Sequence, residues 1–237
     1  MEPTDIGNDA RNPGGQQGAL RMMRVIRQLK ERLGIQHIGG EPIEHLVRRW
    51  SRVEMPELNL EVRAYDPSWP VLFERERQRL QKALEAEPLI DIQHVGSTSI
   101  PPMPSKNIVD LAVALTLPLC TDSQKERLES LGYRYHGTSP IDPGFFWFWR
   151  LEDGTALVVH LCDPRAAWYT NLLHFRDYMR EHLEERASYE RLKRELASVP
   201  GQSWLEYSVL KRHLLQQITD RANVWAAARG GAGSNGS

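Results

Sequence analysis

An α/β fold, or α+β in the looser usage, is what this sequence predicts: a small mixed sheet of about five strands with helices packed on it and a C-terminal helical segment. Three observations carry that expectation. Short apolar runs rich in branched residues stop at turn residues, as Leu89-Ile90-Asp91-Ile92-Gln93-His94-Val95 does at Gly96-Ser97, and Ile108 to Leu115 follows after a Pro-punctuated connection; this is how buried strands read. Elsewhere apolar residues recur at helical spacing, as Phe73, Leu80 and Leu84 do, and Trp168, Leu172, Phe175 and Met179. Finally, Phe145 to Arg150 pairs naturally with Ala156 to Leu161 through a turn at Asp153-Gly154, the best hairpin signal in the chain.

The bounds narrow the field. A chain of 237 residues can bury a sizeable core, and one main domain with an appendage is the expectation. With 30 Lys+Arg against 31 Asp+Glu, the net charge of −1 gives no global field that steers the protein to nucleic acid or acidic membranes. A nucleic-acid partner would need a local basic site. No apolar run approaches the roughly 18 residues of a membrane span, and the first residues lack a secretory pattern, so a soluble, cytoplasmic protein is expected. Cys120 and Cys162 form no CxxC pair, which argues for reduced thiols and against a zinc site.

Taken in order, residues 1–18 are rich in Gly, Asn, Asp, Pro and Gln and predict a disordered arm. Residues 19–59 predict a helical extension. There Met22, Ile26, Leu29 and Leu33 share one face, Arg21, Arg24, Arg27 and Lys30 surround it, and Gly34 stops the helix. Packing against the domain or a partner helix suits this basic helix, and docking on RNA or an anionic surface is the sharper alternative. Glu41 to Trp50 predicts a second helix.

The main domain spans residues 60–228. It opens with an alternating strand, Leu60 to Tyr65, and a helix capped by Asp66 or Ser68, on which Glu74, Arg75, Glu76, Arg77, Arg79 and Lys82 read as a solvated mixed-charge face. Asp122 or Ser123 starts a helix ended by Gly132, and Tyr133-Arg134-Tyr135 begins another strand. Arg165 to Ala197 reads as a helical pair, Ser203 caps a last helix to about Ala228, and residues 229–237 read as a disordered tail.

Chemistry concentrates at the turn after the first buried strand. Gly96 has no Cβ, so a phosphate can approach the backbone closely, and the amides and hydroxyls of Ser97, Thr98 and Ser99 can donate to its oxygens. Asp110, alone among apolar neighbours on the next strand, could hold a hard cation bridging those phosphates. A plain strand-to-loop turn with Asp110 hydrogen-bonded to nearby backbone accounts for the same residues. In the aromatic strand, Phe146, Phe148 and Arg150 share one face and Phe145, Trp147 and Trp149 the other, which fits core packing or the stacking of a base. His160, at the end of an apolar strand, suits a core histidine or a ligand.

His94-Val95-Gly96-Ser97-Thr98-Ser99-Ile100-Pro101 followed by Lys106 and Ile108-Val109-Asp110 resembles the signature of the GrpB-like family within the nucleotidyltransferase superfamily. Tyr65-Asp66-Pro67-Ser68-Trp69-Pro70 with Phe73 resembles its N-terminal motif, and Phe175-Arg176-Asp177-Tyr178 with Tyr189, Leu192-Lys193 and Leu196-Ala197 its C-terminal helices. The likeness runs from about Leu60 to about Leu215. It implies a nucleotidyltransferase-like sheet and a nucleoside triphosphate or other phosphorylated small molecule held by Gly96, Ser97, Thr98 and Ser99. Asp110 and His160 are then the catalytic and metal-binding residues, and Lys106, Arg150, Arg176 or Lys211 supplies further positive charge. The implied cofactor is a divalent metal, Mg²⁺ or else Mn²⁺ or Zn²⁺. A nucleotide-binding module that has lost catalysis, or an interaction protein working through the basic helix, are the competing expectations.

The chain departs from the superfamily pattern in one respect. Two acids at alternate strand positions would hold two cations about 3.5–4 Å apart, yet Asp110 is followed at that spacing by Ala112. His160 and His94 are the nearest substitutes. Imidazole suits Mn²⁺ or Zn²⁺ better than Mg²⁺.

Overall fold

The computed structural model describes residues 26–27, 36–38, 41–45, 61–138, 145–197 and 204–232. The predicted arm and nearly all of the basic helix, of which only the helical pair Ile26 and Arg27 is described, lie outside them. Two short strands, β1 (His37–Ile38) and β2 (Glu41–Pro42), pair antiparallel. The helix expected from Glu41 therefore starts later, at Ile43, because Pro42 fits ahead of a first helical turn but not within a helix. No helix among the described residues is long and apolar enough to cross a membrane.

The main body follows as α1 (Ser68–Ala83), β3 (Leu89–Val95), a short 3₁₀ turn (Ser97–Ser99), β4 (Ile108–Leu115), α2 (Asp122–Ser130), β5 (Arg134–Thr138), β6 (Phe145–Glu152), β7 (Thr155–Cys162), α3 (Ala167–Glu181), α4 (Leu183–Ala197) and α5 (Trp204–Ala232). The five strands form one mixed sheet in the order β3-β4-β7-β6-β5, with β4 and β7 parallel and the other pairs antiparallel. The predicted hairpin is β6–β7. Its register closes at Glu152↔Thr155, and Asp153 (φ 48°) and Gly154 (φ 76°) both take the left-handed conformation that a two-residue turn of this kind demands.

Two expectations change. Residues 61–65 do not form a strand: only Arg63 pairs, through two backbone hydrogen bonds of 2.9 Å to Ser105, because no strand edge runs beside the rest. Helix α2 starts at Asp122 as expected, behind a Thr121 cap that forms a capping box with Gln124. Helix α5 continues to Ala232, so residues 229–232 belong to it and not to a tail.

Because strand side chains alternate, the sheet has two chemically different faces. Leu111, Val113, Leu115, Phe148, Leu157, Val159 and Leu161 point to the face covered by α1 and α2, where they meet Trp69, Leu80, Leu84 and Leu128. Burying each such leucine contributes roughly 2 kcal/mol. Val95, Ala112, Ala114, Phe145 and Cys162 point to the other face, covered by Tyr169, Trp168 and Leu172 of α3. A separate core joins the helical segment to the loop between β3 and β4: Ile100 and Met103 pack with Phe175, Tyr178, Met179, Tyr189, Ile218 and Ala222. That contact places α3, α4 and α5 across the end of β3.

The charge run on α1 is not wholly solvated. Glu76 is fully buried and accepts from Tyr133 Oη (2.9 Å), Arg79 Nη1 (2.9 Å) and Arg150 Nη2 (2.7 Å). Arg150 also pairs with Glu152 at 2.6 Å. Burial and the Glu76 carboxylate push the Tyr133 phenol upward, so it stays protonated and donates.

Candidate functional site

The register of β3 against β4 sets the site. Val95, the last residue of β3, lies opposite Asp110, so the Asp110 side chain reaches the turn that begins at the next residue. Gly96 has φ +70° and ψ −174°, a conformation open essentially to glycine. A Cβ there would overlap Asp110 Oδ2 and lie 3.1 Å from its Cγ. The glycine thus admits a close approach, and the group that approaches is the Asp110 carboxylate.

Hydrogen bonds hold the turn from within. Ser99 N and Oγ both donate to Gly96 O (3.3 and 2.6 Å). Thr98 Oγ1 donates to Ile108 O (3.0 Å), so the 3.1 Å contact from His94 Nε2 must be a donation into Thr98 Oγ1. This makes His94 a neutral brace. Burial, and less so Arg180 and Arg176, press its pKa down to about 4 against the pull of Asp110, and its ring stacks on Phe73 at 4.7 Å. It faces the α1 side of the sheet and is not the substitute ligand that the missing acid called for.

From behind, cations of the helical segment hold the carbonyls of the same loop. Arg180 gives Nε and Nη2 to Ser99 O (3.0 and 2.7 Å), Arg176 gives Nη1 to His94 O (3.1 Å), and Lys193 gives Nζ to Pro104 O.

His160 sits opposite Ala112 on β7, on the same face as Asp110, and its Nε2 lies 3.0 Å from Asp110 Oδ1. Phe145, Trp147 and Trp168 surround the ring at centroid distances of 5.5, 6.1 and 5.4 Å. His160 Nδ1 is buried and has no hydrogen-bond partner. One carboxylate oxygen and one imidazole nitrogen this close fit a single divalent cation whose other ligands come from elsewhere, and they do not fit a pair of cations. No cluster of three or more His, Cys, Asp or Glu suited to a metal occurs among the described residues. Ala112, where a second acid would stand, is fully buried beside Val95 and Phe145, so packing closes that position.

These groups line a cavity of about 460 Å³ between the end of the sheet and α3, α4 and α5. Of the residues the sequence singled out, Gly96, Ser97, Thr98, Lys106, Asp110, His160 and Lys211 line it together. Ser99 does not, being buried and turned to Gly96 O. Arg150 is on the opposite face of the sheet with Glu76, since β6 alternates and Phe148 and Arg150 point away from Phe145 and Trp147. Arg176 is engaged with Asp177, Gln93 and the His94 carbonyl.

Sequence reasoning missed Lys193 and Tyr189 as lining residues. Their spacing of four on α4 put both on one helical face, and that was the available signal. Tyr189 is buried, and Ser97 favours the ionised form of its phenol while burial, the larger effect, opposes it. Burial, then Lys211, lowers Lys106 to about 7 against the opposing effect of Asp110. Burial, then Lys211, lowers Lys193 to about 6, with Lys106 and Arg194 adding to the effect and Glu190 opposing it.

Fold and site together define an α/β protein with a five-stranded mixed sheet and a cation-rich cavity under a C-terminal helical cover. The chain belongs to the GrpB protein family, which matches residues 59–221. It is 33% identical over 163 residues to UPF0157 protein BH1888 of Halalkalibacterium halodurans, covering 68% of this chain and 80% of that one. It is also 33% identical over 162 residues to UPF0157 protein SCO7215 of Streptomyces coelicolor, covering 68% and 82%. Among solved structures it is similar to the conserved protein GrpB from Enterococcus faecalis, at TM-score 0.61 and 28% identity over 70% of this chain and 99% of that one.

Proposed function

We propose that the cavity binds a nucleoside triphosphate and that the protein is a divergent nucleotidyltransferase. One observation carries the reading: the Gly96-Ser97 turn, with the Asp110 carboxylate pressed against it, faces lysines across a cavity of about 460 Å³. That volume falls in the range of small-molecule sites. The amide-rich turn and Lys106 and Lys211 suit phosphate oxygens, and the resemblance to nucleotidyltransferases points the same way.

Asp110 and His160 would hold one divalent cation, for which Mn²⁺ or Zn²⁺ is better suited than Mg²⁺. Such a cation supplies charge neutralisation at the reacting phosphate. In transfer, an acceptor oxygen attacks the α-phosphorus, the α–β bridging bond breaks, and pyrophosphate leaves with its charge met by the lysines. Trp168 offers the cavity an aromatic surface for a base. The unpaired thiols of Cys120 and Cys162 agree with a cytoplasmic location.

A second reading, a nucleotide-binding module with feeble or no turnover, is favoured by one feature: the closed position at Ala112 leaves a single strand acid. Equilibrium binding of a panel of nucleoside triphosphates with and without divalent metal tests both. Binding with pyrophosphate release supports the first reading, binding without release the second, and a folded protein that binds none of the panel ends both.

A further inference from the structure

We infer that Asn171 selects the base: its carboxamide, oriented by Asn223 and His174, donates to a keto oxygen, so that uracil, guanine or cytosine nucleotides bind ahead of adenine nucleotides. The inference rests on the nucleotide reading above and deepens it, since that reading gives the base a surface at Trp168 and assigns no group to its edge.

Helix α3 brings Trp168, Asn171, Leu172 and Phe175 to the cavity wall, because residues three, four and seven apart share a helical face. Asn171 is the polar member of that stripe, one turn from the indole. A base lying on Trp168 has its edge within reach of a side chain so placed. On the α5 side of the same cavity, Thr219 gives its hydroxyl proton to Leu215 O (2.7 Å) and Gln216 gives Nε2 to Asp220 (2.9 Å), so both are turned along their own helix.

The orientation of Asn171 is imposed from behind. Asn223 of α5 donates Nδ2 to Asn171 Oδ1 (2.8 Å), and Asn223 Oδ1 lies 2.8 Å from His174 Nδ1. A carboxamide oxygen only accepts, so His174 carries a proton on Nδ1 and the chain runs in one sense, from His174 through Asn223 to Asn171. Turning both amides over would require His174 Nδ1 to accept, so a single imidazole proton sets what the cavity meets. With Oδ1 held by Asn223, Asn171 keeps its Nδ2 protons, and no hydrogen bond among the described residues engages them. A keto oxygen accepts such a proton, whereas an exocyclic amino group meets it donor to donor. Asparagine commonly reads adenine with its oxygen and nitrogen together, on N6 and N7, and that pairing is closed when the oxygen is committed elsewhere. Uracil O4 and guanine O6 are suitable acceptors, as is O2 of uracil or cytosine; adenine carries no keto oxygen.

The test is binding of UTP, CTP, GTP and ATP to the full chain at one fixed concentration of Mn²⁺, with thermal unfolding of every variant. ATP should bind roughly tenfold or more weakly than UTP, the loss that one unmatched polar contact brings. GTP bound as well as UTP supports the inference with the contact at O4 or O6, and CTP bound as well as UTP supports it with the contact at O2. Asn171→Ala should weaken UTP about tenfold, leave ATP nearly unchanged and so erase the preference. Asn223→Asp is the decisive variant. Its carboxylate only accepts, so it draws Asn171 Nδ2 toward itself, turns Asn171 Oδ1 to the cavity, and should shift the preference toward ATP. A folded Asn223→Asp protein in which all four triphosphates weaken alike would overturn the relay, since that is what a merely structural Asn223 gives. If Asn223→Asp does not fold, Asn171→Ala decides. ATP binding equal to that of UTP in the wild type, or an Asn171→Ala protein that keeps the wild-type preference, overturns the base selection and leaves the nucleotide reading intact. A folded protein that binds none of the four overturns both.

Discussion

The two faces of the sheet each bury ionised groups, and they treat them in opposite ways. On the α1 face, Glu76 meets Arg79, Arg150 and Tyr133, and Arg150 meets Glu152 as well, so every charge has an opposite within 3 Å. On the cavity face, Lys211 disfavours the charged forms of both Lys106 and Lys193, against the opposing pull of Asp110 on the first and of Glu190 on the second. A compensated cluster serves the fold, because desolvation of its members is offset inside the protein. Buried like charges that disfavour one another lower stability, a cost that functional sites commonly carry. Burial alone would not separate the two, since each set has a member that is almost wholly buried, Glu76 in one and Lys193 in the other. Their partners do.

The largest effect expected from this contrast is on the compensated side. Glu76→Ala takes one acceptor from Arg79 and from the nearly buried Arg150 and the acceptor of the buried Tyr133 hydroxyl, and should cost about 3–5 kcal/mol in chemical denaturation. Nucleotide affinity of the surviving folded fraction should not change. An affinity loss with stability intact would mean that the two faces are not separate.

Acid should find the same face through His94. Its folded pKa of about 4 lies below the ordinary imidazole value of 6.5, so the unfolded chain binds the extra proton between those values. Stability contributed by keeping His94 neutral is complete above pH 6.5 and is lost as pH falls from 6.5 to 4, by about 3 kcal/mol in all. Denaturation midpoints measured across that window should show the slope in the wild type and a shallower one in His94→Gln.

Two substitutions on the cavity face sharpen the comparison from the other side. Gly96→Ala should cost about 2 kcal/mol, from a positive φ and from overlap with Asp110 Oδ2, and should displace the carboxylate enough to abolish any metal dependence of binding. Its value as a probe of phosphate approach is limited by the same overlap, so Asp110→Asn is the cleaner companion. Lys193→Met should raise the stability of the ligand-free protein, by about 1–2 kcal/mol near pH 7. The sign follows from linkage: with a folded pKa near 6 against 10.5, the unfolded chain holds the extra proton throughout that interval. The burden of Lys193 is therefore full below pH 6 and vanishes toward pH 10.5. A wild type whose stability does not climb over that range, or a Lys193→Met protein that is less stable, would place Lys193 with the compensated cluster.

Much of the site was readable along the chain because it is local. Gly96, Ser97 and Thr98 are consecutive, and Asp110 is carried by the next strand, so a turn signal and an isolated acid were enough to bring them together. Arg150 shows where such reading stops. Alternation said that it shares a face with Phe148, but not which face covers the cavity, and that was decided by β7 pairing with β4 and by α3 lying over Phe145 and Trp147. Glu76 failed in the same way: its neighbours in sequence are solvated, and its partners Tyr133 and Arg150 are 57 and 74 residues away.

By itself the sequence determined the five strands of the main sheet and the helices that cover it, where the β6–β7 hairpin turns, and that a glycine turn and a lone acid stand close in the chain at Gly96 and Asp110, because periodicity, turn residues and capping act over a few neighbouring residues. Only the tertiary structure decided that β4 lies between β3 and β7, that His160 touches Asp110, that Lys193 and Lys211 close the cavity from helices late in the chain, and that Arg150 belongs to the other face. Those outcomes depend on register and on which apolar faces meet, and both are settled by burial summed over the whole domain rather than by any local preference.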